Sequence, residues 1–135
     1  DLAVSEIVVR LLQTQARRIL LAPTPPTTSS RLRQVVEHVR ANLHRDLPTD
    51  ELARLACLSR AQFFRAFRSE LGLSPVEFIL TERIHQACRL LRAGNRYLAD
   101  VAYQCGFSSP SYFTRVFKAA MGCAPGQWLR GLSDA

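Results

Sequence analysis

The sequence predicts an all-α fold: a seven-helix domain in which two helix-turn-helix units are joined by a long central helix, preceded by an extra N-terminal helix and a proline-rich linker. Apolar residues recur at three- and four-residue spacing through most of the chain, the period of a helix buried on one side. Serine followed three residues later by glutamine or glutamate, at Ser59/Gln62 and Ser74/Glu77, marks helix starts, and Gly72 and Gly122 mark stops. A repeat links these signals: Phe113, Arg115, Phe117, Gly122 and Pro125 fall 50 positions after Phe63, Arg65, Phe67, Gly72 and Pro75. Upstream the register slips by one, pairing Val101-Ala102 with Leu52-Ala53, so the second copy has one extra residue around Gly106-Phe107-Ser108. Two copies of one supersecondary unit at a fixed period rarely arise by chance.

The elements follow in order. Leu2 to Leu21 has an apolar stripe of Val4, Val8, Leu11, Leu12, Ile19 and Leu20 and is expected to be an amphipathic helix. Residues 22–30, with three prolines among threonines and serines, read as an extended linker. Residues 1–21 are therefore assigned to the end of a preceding sensor or dimerisation domain. Self-association and an unsupported remnant both fit them. The compact domain is expected over 31–132. Its first helix, Arg31 to Leu43, turns Leu32, Val35, Val36, Val39 and Leu43 inward. Thr49 is expected to cap the second helix, with Asp50 and Glu51 in its positive first turn and Leu52, Ala53 and Ala56 buried. The third runs from Arg60 to Leu71, completing a first helix-turn-helix over about 50–71.

The fourth helix runs from Pro75 to about Ala93, with Val76, Ile79, Leu80, Ile84, Ala87, Cys88 and Leu91 as its inner stripe. Its length, roughly 28 Å at 1.5 Å per residue, approaches the roughly 34 Å between successive major grooves on one side of DNA. The second unit, about 98–121, pairs a helix from Leu98 to Cys105 with one from Pro110 to Met121. In the latter, Ser109 caps, Pro110 takes the first helical position, and Phe113, Val116, Phe117 and Ala120 face inward. A last helix from Pro125 to Gly131 buries Trp128 and Leu129.

Composition narrows the partner. The 135 residues are 47% hydrophobic, enough for a core, and carry a net charge of +7. Such a balance points to an anionic surface, nucleic acid or membrane. Arginine outnumbers lysine, which favours phosphate and guanine, where a planar fork bonds twice. Cys57, Cys88, Cys105 and Cys123 lie among apolar neighbours without a C-x-x-C pair and read as buried free thiols. His38, His44 and His85 have no metal-ligand spacing, so no metal site and no cofactor is expected. The chain has no signal peptide or long apolar span, which suggests the cytoplasm and no membrane. Met121 is the only methionine, so the chain is expected to continue N-terminally. No Gly-rich phosphate loop, H-E-x-x-H or G-x-S-x-G motif occurs, so no catalytic residue is assigned and no enzyme is expected.

With Phe63, Ala66 and Phe67 inward, Arg60, Ala61, Phe64, Arg65 and Arg68 face outward or sideways on the third helix. Ser111, Arg115 and Lys118 do so on the sixth, entered through Ser108, Ser109 and Pro110. These eleven residues are the expected DNA-contact set. Two roles remain open for Phe64: contact with a thymine methyl, or packing beside the fourth helix. Arg65 and Arg115 could read bases or pair with Glu70 or Asp100.

The pattern Val101-Ala102, Cys105-Gly106-Phe107, Ser109-Pro110-Ser111-Tyr112-Phe113, Arg115-Val116-Phe117-Lys118, Gly122 and Pro125 resembles the signature of AraC/XylS-type transcription regulators. Leu52-Ala53, Ser59, Phe63, Arg65, Phe67, Gly72 and Ser74-Pro75 are similar to that family's first helix-turn-helix. The resemblance covers about Arg31 to Arg130. It implies a bacterial, sequence-specific binder of double-stranded DNA whose third and sixth helices (about 60–71 and 110–121) enter adjacent major grooves. It also implies activation through RNA polymerase and an N-terminal domain that senses effectors or forms a homodimer. By position, base reading falls on Ala61, Phe64 and Arg65, and on Pro110, Ser111 and Arg115. Ala61 offers only a methyl and Pro110 no donor, which leaves Arg65 and Arg115 as the hydrogen-bonding readers. The rival reading is a helical protein-interaction module docking an acidic partner. An RNA-binding module fits less well, because the aromatics lie on inner faces and form no stacking platform.

Overall fold

The computed structural model describes residues 27–95 and 97–133. Among them are seven helices and no strand: α1 (Thr28–Ala41), α2 (Thr49–Leu55), α3 (Arg60–Leu71), α4 (Pro75–Arg92), α5 (Leu98–Gln104), α6 (Pro110–Met121) and α7 (Pro125–Ser133). The expected Leu2–Leu21 helix and linker residues 22–26 lie outside the described residues. The end of the expected linker is helical instead. Thr27 caps α1, its hydroxyl accepting from the Ser30 amide at 3.1 Å, and Ser29 donates to Glu70 of α3 at 2.9 Å.

The local signals act as their chemistry requires. Ser59 and Gln62 close a reciprocal capping box on α3, and Ser74 and Glu77 close one on α4. Ser109 accepts from the Tyr112 amide at 3.1 Å, with Pro110 following as the first helical residue. Thr49 is not the cap expected of it. Pro48 holds that place, and its carbonyl takes the amides of Glu51 and Leu52 at 3.1 and 3.3 Å.

Two separate cores result. Leu32, Val35, Val39, Leu52, Phe63 and Phe67 fill the first, and Val101, Ala102, Cys105, Phe107, Phe113 and Phe117 fill the second. Helix α4 belongs to both, giving Phe78 and Ile79 to the first and Ile84, Ala87, Cys88 and Leu91 to the second. Its buried side therefore turns along its length, which corrects the single stripe expected there. Val76 is 50% exposed, while Phe78 is buried with its ring 5.5 Å from that of Phe67. Ala120 is exposed, and Trp128 and Leu129 are only half-buried, because α7 covers the second core from one side. Cys57 is exposed, unlike Cys88 and Cys105.

The two turns superpose in their hydrogen bonds. Cys57 and Leu58 donate to the Arg54 and Ala53 carbonyls, as Gly106 and Phe107 donate to those of Tyr103 and Ala102, all at 3.0 Å. The extra residue of the second copy is therefore Ser108, inserted just before the cap. Cys57 and Gly106 hold the same left-handed place, with φ of 57° and 89°. Only Gly106 is crowded. A Cβ there would collide with the Leu43 carbonyl oxygen and come within 2.9 Å of Arg83 Nε. Arg83, on α4, donates from Nε to the Leu43 carbonyl at 3.2 Å and from Nη2 to the Arg45 carbonyl at 2.9 Å.

Candidate nucleic-acid interface

The phenylalanines determine which residues face out. Phe63 and Phe67 point into the first core and Phe113 and Phe117 into the second, all at most 1% exposed. At 3.6 residues per turn, the residues opposite them must then face solvent. On α3 these are Arg60, Ala61, Arg65 and Arg68, all exposed. Phe64 stands at the border, half-buried, edge-on to Phe63 with the ring centroids 6.4 Å apart. On α6, Ser111, Arg115 and Lys118 are exposed, as is Ser108 in the preceding turn, while Ser109 and Pro110 are half-buried. Both faces are basic; α3 begins with Arg60 and Ala61, and α6 with the smaller Pro110 and Ser111.

The cations differ in how firmly they are held. Arg60 lies 3.9 Å from Asp50, a fully wet pair of little energetic weight. Among the described residues, neither Arg65 nor Arg115 pairs with a carboxylate; Glu70 instead accepts from Ser29. Arg65 is exposed. Arg115 is steered, because its guanidinium carbon lies 5.5 Å from the centroid of the Tyr112 ring. Tyr112 in turn stands edge-on to Phe107 at 5.8 Å, which ties it to the second core. In the first copy Gln62 holds the place of Tyr112, and its side chain is used up in the capping box.

Tyr112 and Arg83 lie outside the expected contact set yet shape the site. Tyr112 was legible as a neighbour of Arg115, since residues three apart meet on a helix surface. Arg83 falls on the polar side of α4 by periodicity, and nothing local shows where it reaches. In the fold it is half-buried, and desolvation lowers its pKa below the usual value, opposed by the charge of Asp46. Among the described residues no three His, Cys, Asp or Glu side chains cluster as metal ligands, and no helix is long and apolar enough to cross a membrane.

Helix α4, which runs between the two units, is 18 residues long, about 27 Å. Residues 52–131 match the family model described as a helix-turn-helix domain. The chain is 38% identical over 100 residues to the HTH-type transcriptional regulator YfiF of Bacillus subtilis (strain 168), covering 74% of this chain and 32% of that one. Across such curated relatives the chain spans about a third of their length. Among solved structures it resembles the DNA-binding domain of the global transcriptional factor AdpA, in complex with a target DNA. That likeness has a TM-score of 0.72 at 34% identity, over 75% of this chain and 91% of that one. It also resembles a transcriptional regulator of the AraC-type DNA-binding-domain-containing proteins from Chromobacterium violaceum, with a TM-score of 0.68 at 28% identity over 73% and 88%.

Proposed function

The chain belongs to the AraC-type helix-turn-helix family of transcription regulators, and on that premise we propose that it binds duplex DNA sequence-specifically, with α3 and α6 in adjacent major grooves. The observation that carries this is that two exposed arginines, Arg65 and Arg115, stand at equivalent places in two repeats joined by one continuous helix. Arg65 and Arg115 read bases. Arg60, Arg68 and Lys118 hold phosphate, and Ala61, Phe64, Ser108, Ser109, Pro110 and Ser111 line the approach. The likeness to AdpA, whose DNA-binding domain is solved on a target DNA, supports the reading.

Hydroxyl-radical footprinting on fragments selected from genomic DNA tests it. Two protected stretches on one face of the duplex, about one helical turn apart, are the expected result. Protection confined to a half-turn refutes the two-groove mode. Salt separates this reading from an interaction module for an acidic protein: DNA affinity should fall log-linearly with ionic strength, with a slope proportional to the phosphates contacted. A partner protein that binds in place of DNA would identify the alternative.

Activation through RNA polymerase is the regulatory effect we propose, exerted in the bacterial cytoplasm. Transcription in vitro from a promoter bearing the selected site should rise on adding the full-length protein, and unchanged or reduced output would reject activation. Residues 1–21 are proposed to support a homodimer. Sedimentation of the full-length protein with and without them decides that, an unchanged mass ruling the role out.

A further inference from the structure

Two cores on one rod leave a degree of freedom that the rod does not remove. Helix α4 is packed into each core, through Phe78 and Ile79 in the first and through Ile84, Ala87, Cys88 and Leu91 in the second, but the two cores form separate clusters. A small slip of either core on α4 would swing its reader around the duplex. One further contact closes this freedom. Arg83 reaches from the middle of α4 to the Leu43 and Arg45 carbonyls of the first half, while Gly106 of the second half packs onto the same Leu43 carbonyl and onto Arg83 itself. The receiving loop is itself stiff, since Arg45 donates to Glu51 at 3.1 Å, to Asn42 at 3.4 Å and to the Asp46 carbonyl at 2.8 Å.

The two turns differ in what they demand of their left-handed residue. Both turns need a left-handed residue, and in the first copy Cys57 fills that place with its side chain in solvent. Conformation alone therefore does not demand glycine. The close approach of the two halves does, because a Cβ at position 106 has nowhere to go.

We propose that the Arg83–Leu43–Gly106 junction sets the rotational phase between the two readers, making Arg83 a positioning residue that determines which spacing of two DNA sub-sites the protein accepts. The proposal rests on the two-groove reading above. Each base pair inserted between sub-sites advances the second by about 3.4 Å and turns it by about 35°. A locked pair of readers follows such a change poorly, and an unlocked pair tolerates it.

The test uses the whole chain and the duplex recovered by selection from random sequence, with one or two base pairs inserted or removed between the protected stretches. Wild type should lose about tenfold in affinity per base pair, the scale of one lost base contact. Arg83→Met should flatten that profile to within about threefold while keeping both protected stretches. Arg83→Lys, which keeps the charge but on a single donor nitrogen in place of the two that Arg83 uses, should fall between and covers the case in which Arg83→Met does not fold. A merely destabilised protein would lose affinity at every spacing alike. If a folded Arg83→Met, or failing it Arg83→Lys, keeps the wild-type profile over two grooves, the proposal is overturned. A wild-type footprint in a single groove overturns the two-groove reading, and the proposal with it.

Discussion

Replacing Arg115 by alanine separates base reading from the other tasks a surface arginine performs. The side chain is exposed and, among the described residues, has no carboxylate partner; its one contact of note is with the Tyr112 ring. An exposed cation–π contact contributes about 0.5–1 kcal/mol, so the domain should melt only a few degrees lower, at about 4–8 °C per kcal/mol. Against DNA the loss should be larger and selective. A guanidinium bonded to both O6 and N7 of guanine discriminates by about 1–3 kcal/mol, or about 5- to 150-fold. Anisotropy titrations with the selected duplex and a random one, at a single salt concentration, should show the first weakened by that factor and the second far less. Selection from randomised sites should lose its preference at one or two positions. Tyr112→Phe, which keeps the ring, should behave as wild type, whereas Tyr112→Ala should lose part of the discrimination. An Arg115→Ala protein with unchanged sequence preference would refute the assignment, and with it the idea that Tyr112 aims a reader.

Lys118→Ala should weaken all duplexes alike and reduce the salt slope by about one unit; a position-specific effect would instead place Lys118 on a base. Phe117 is fully buried between the rings of Phe113 at 5.7 Å and Trp128 at 5.8 Å. Its replacement by alanine should cost about 3–5 kcal/mol, and a variant of full thermal stability that no longer binds DNA would show the helix faces to be misassigned. Burial pushes the Cys105 thiol from 9.0 up to about 11. The folded state then keeps a proton that the unfolded chain has lost, so stability should fall as pH rises between these values. In the native protein at pH 8, mass spectrometry after brief alkylation should find Cys57 modified and Cys105 intact.

What was legible in the sequence was whatever a single helix or its ends decide. Ser59, Ser74 and Ser109 cap because a hydroxyl accepts an amide within its own turn. Phe63, Phe67, Phe113 and Phe117 face inward because their spacing matches a helix period, and Arg65 and Arg115 face outward as a consequence. Val76 is exposed against expectation, and Phe78, outside the expected stripe, is buried, because α4 changes partners midway, which no single-helix periodicity encodes. Cys57 looked buried among apolar neighbours, but it occupies a left-handed turn position whose Cβ points to solvent. Arg83 was the hardest to read: its partners are carbonyls 40 and 38 residues earlier, and backbone carbonyls have no sequence signature.

The division into two cores also bears on how the molecule opens. Stability is spread unevenly when cooperative units share few contacts, and each unit can unfold below the global cost. Here α4 carries Phe78 and Ile79 for one unit and Ile84, Ala87, Cys88 and Leu91 for the other. Opening α1–α3 leaves the second half of α4 covered, and opening α5–α7 leaves the first. The amides of α4 therefore have two guardians, and both must be lost before the whole helix exchanges with solvent. A lesion in either core should therefore expose its own reader to proteases first, with early cuts confined to that half of the chain.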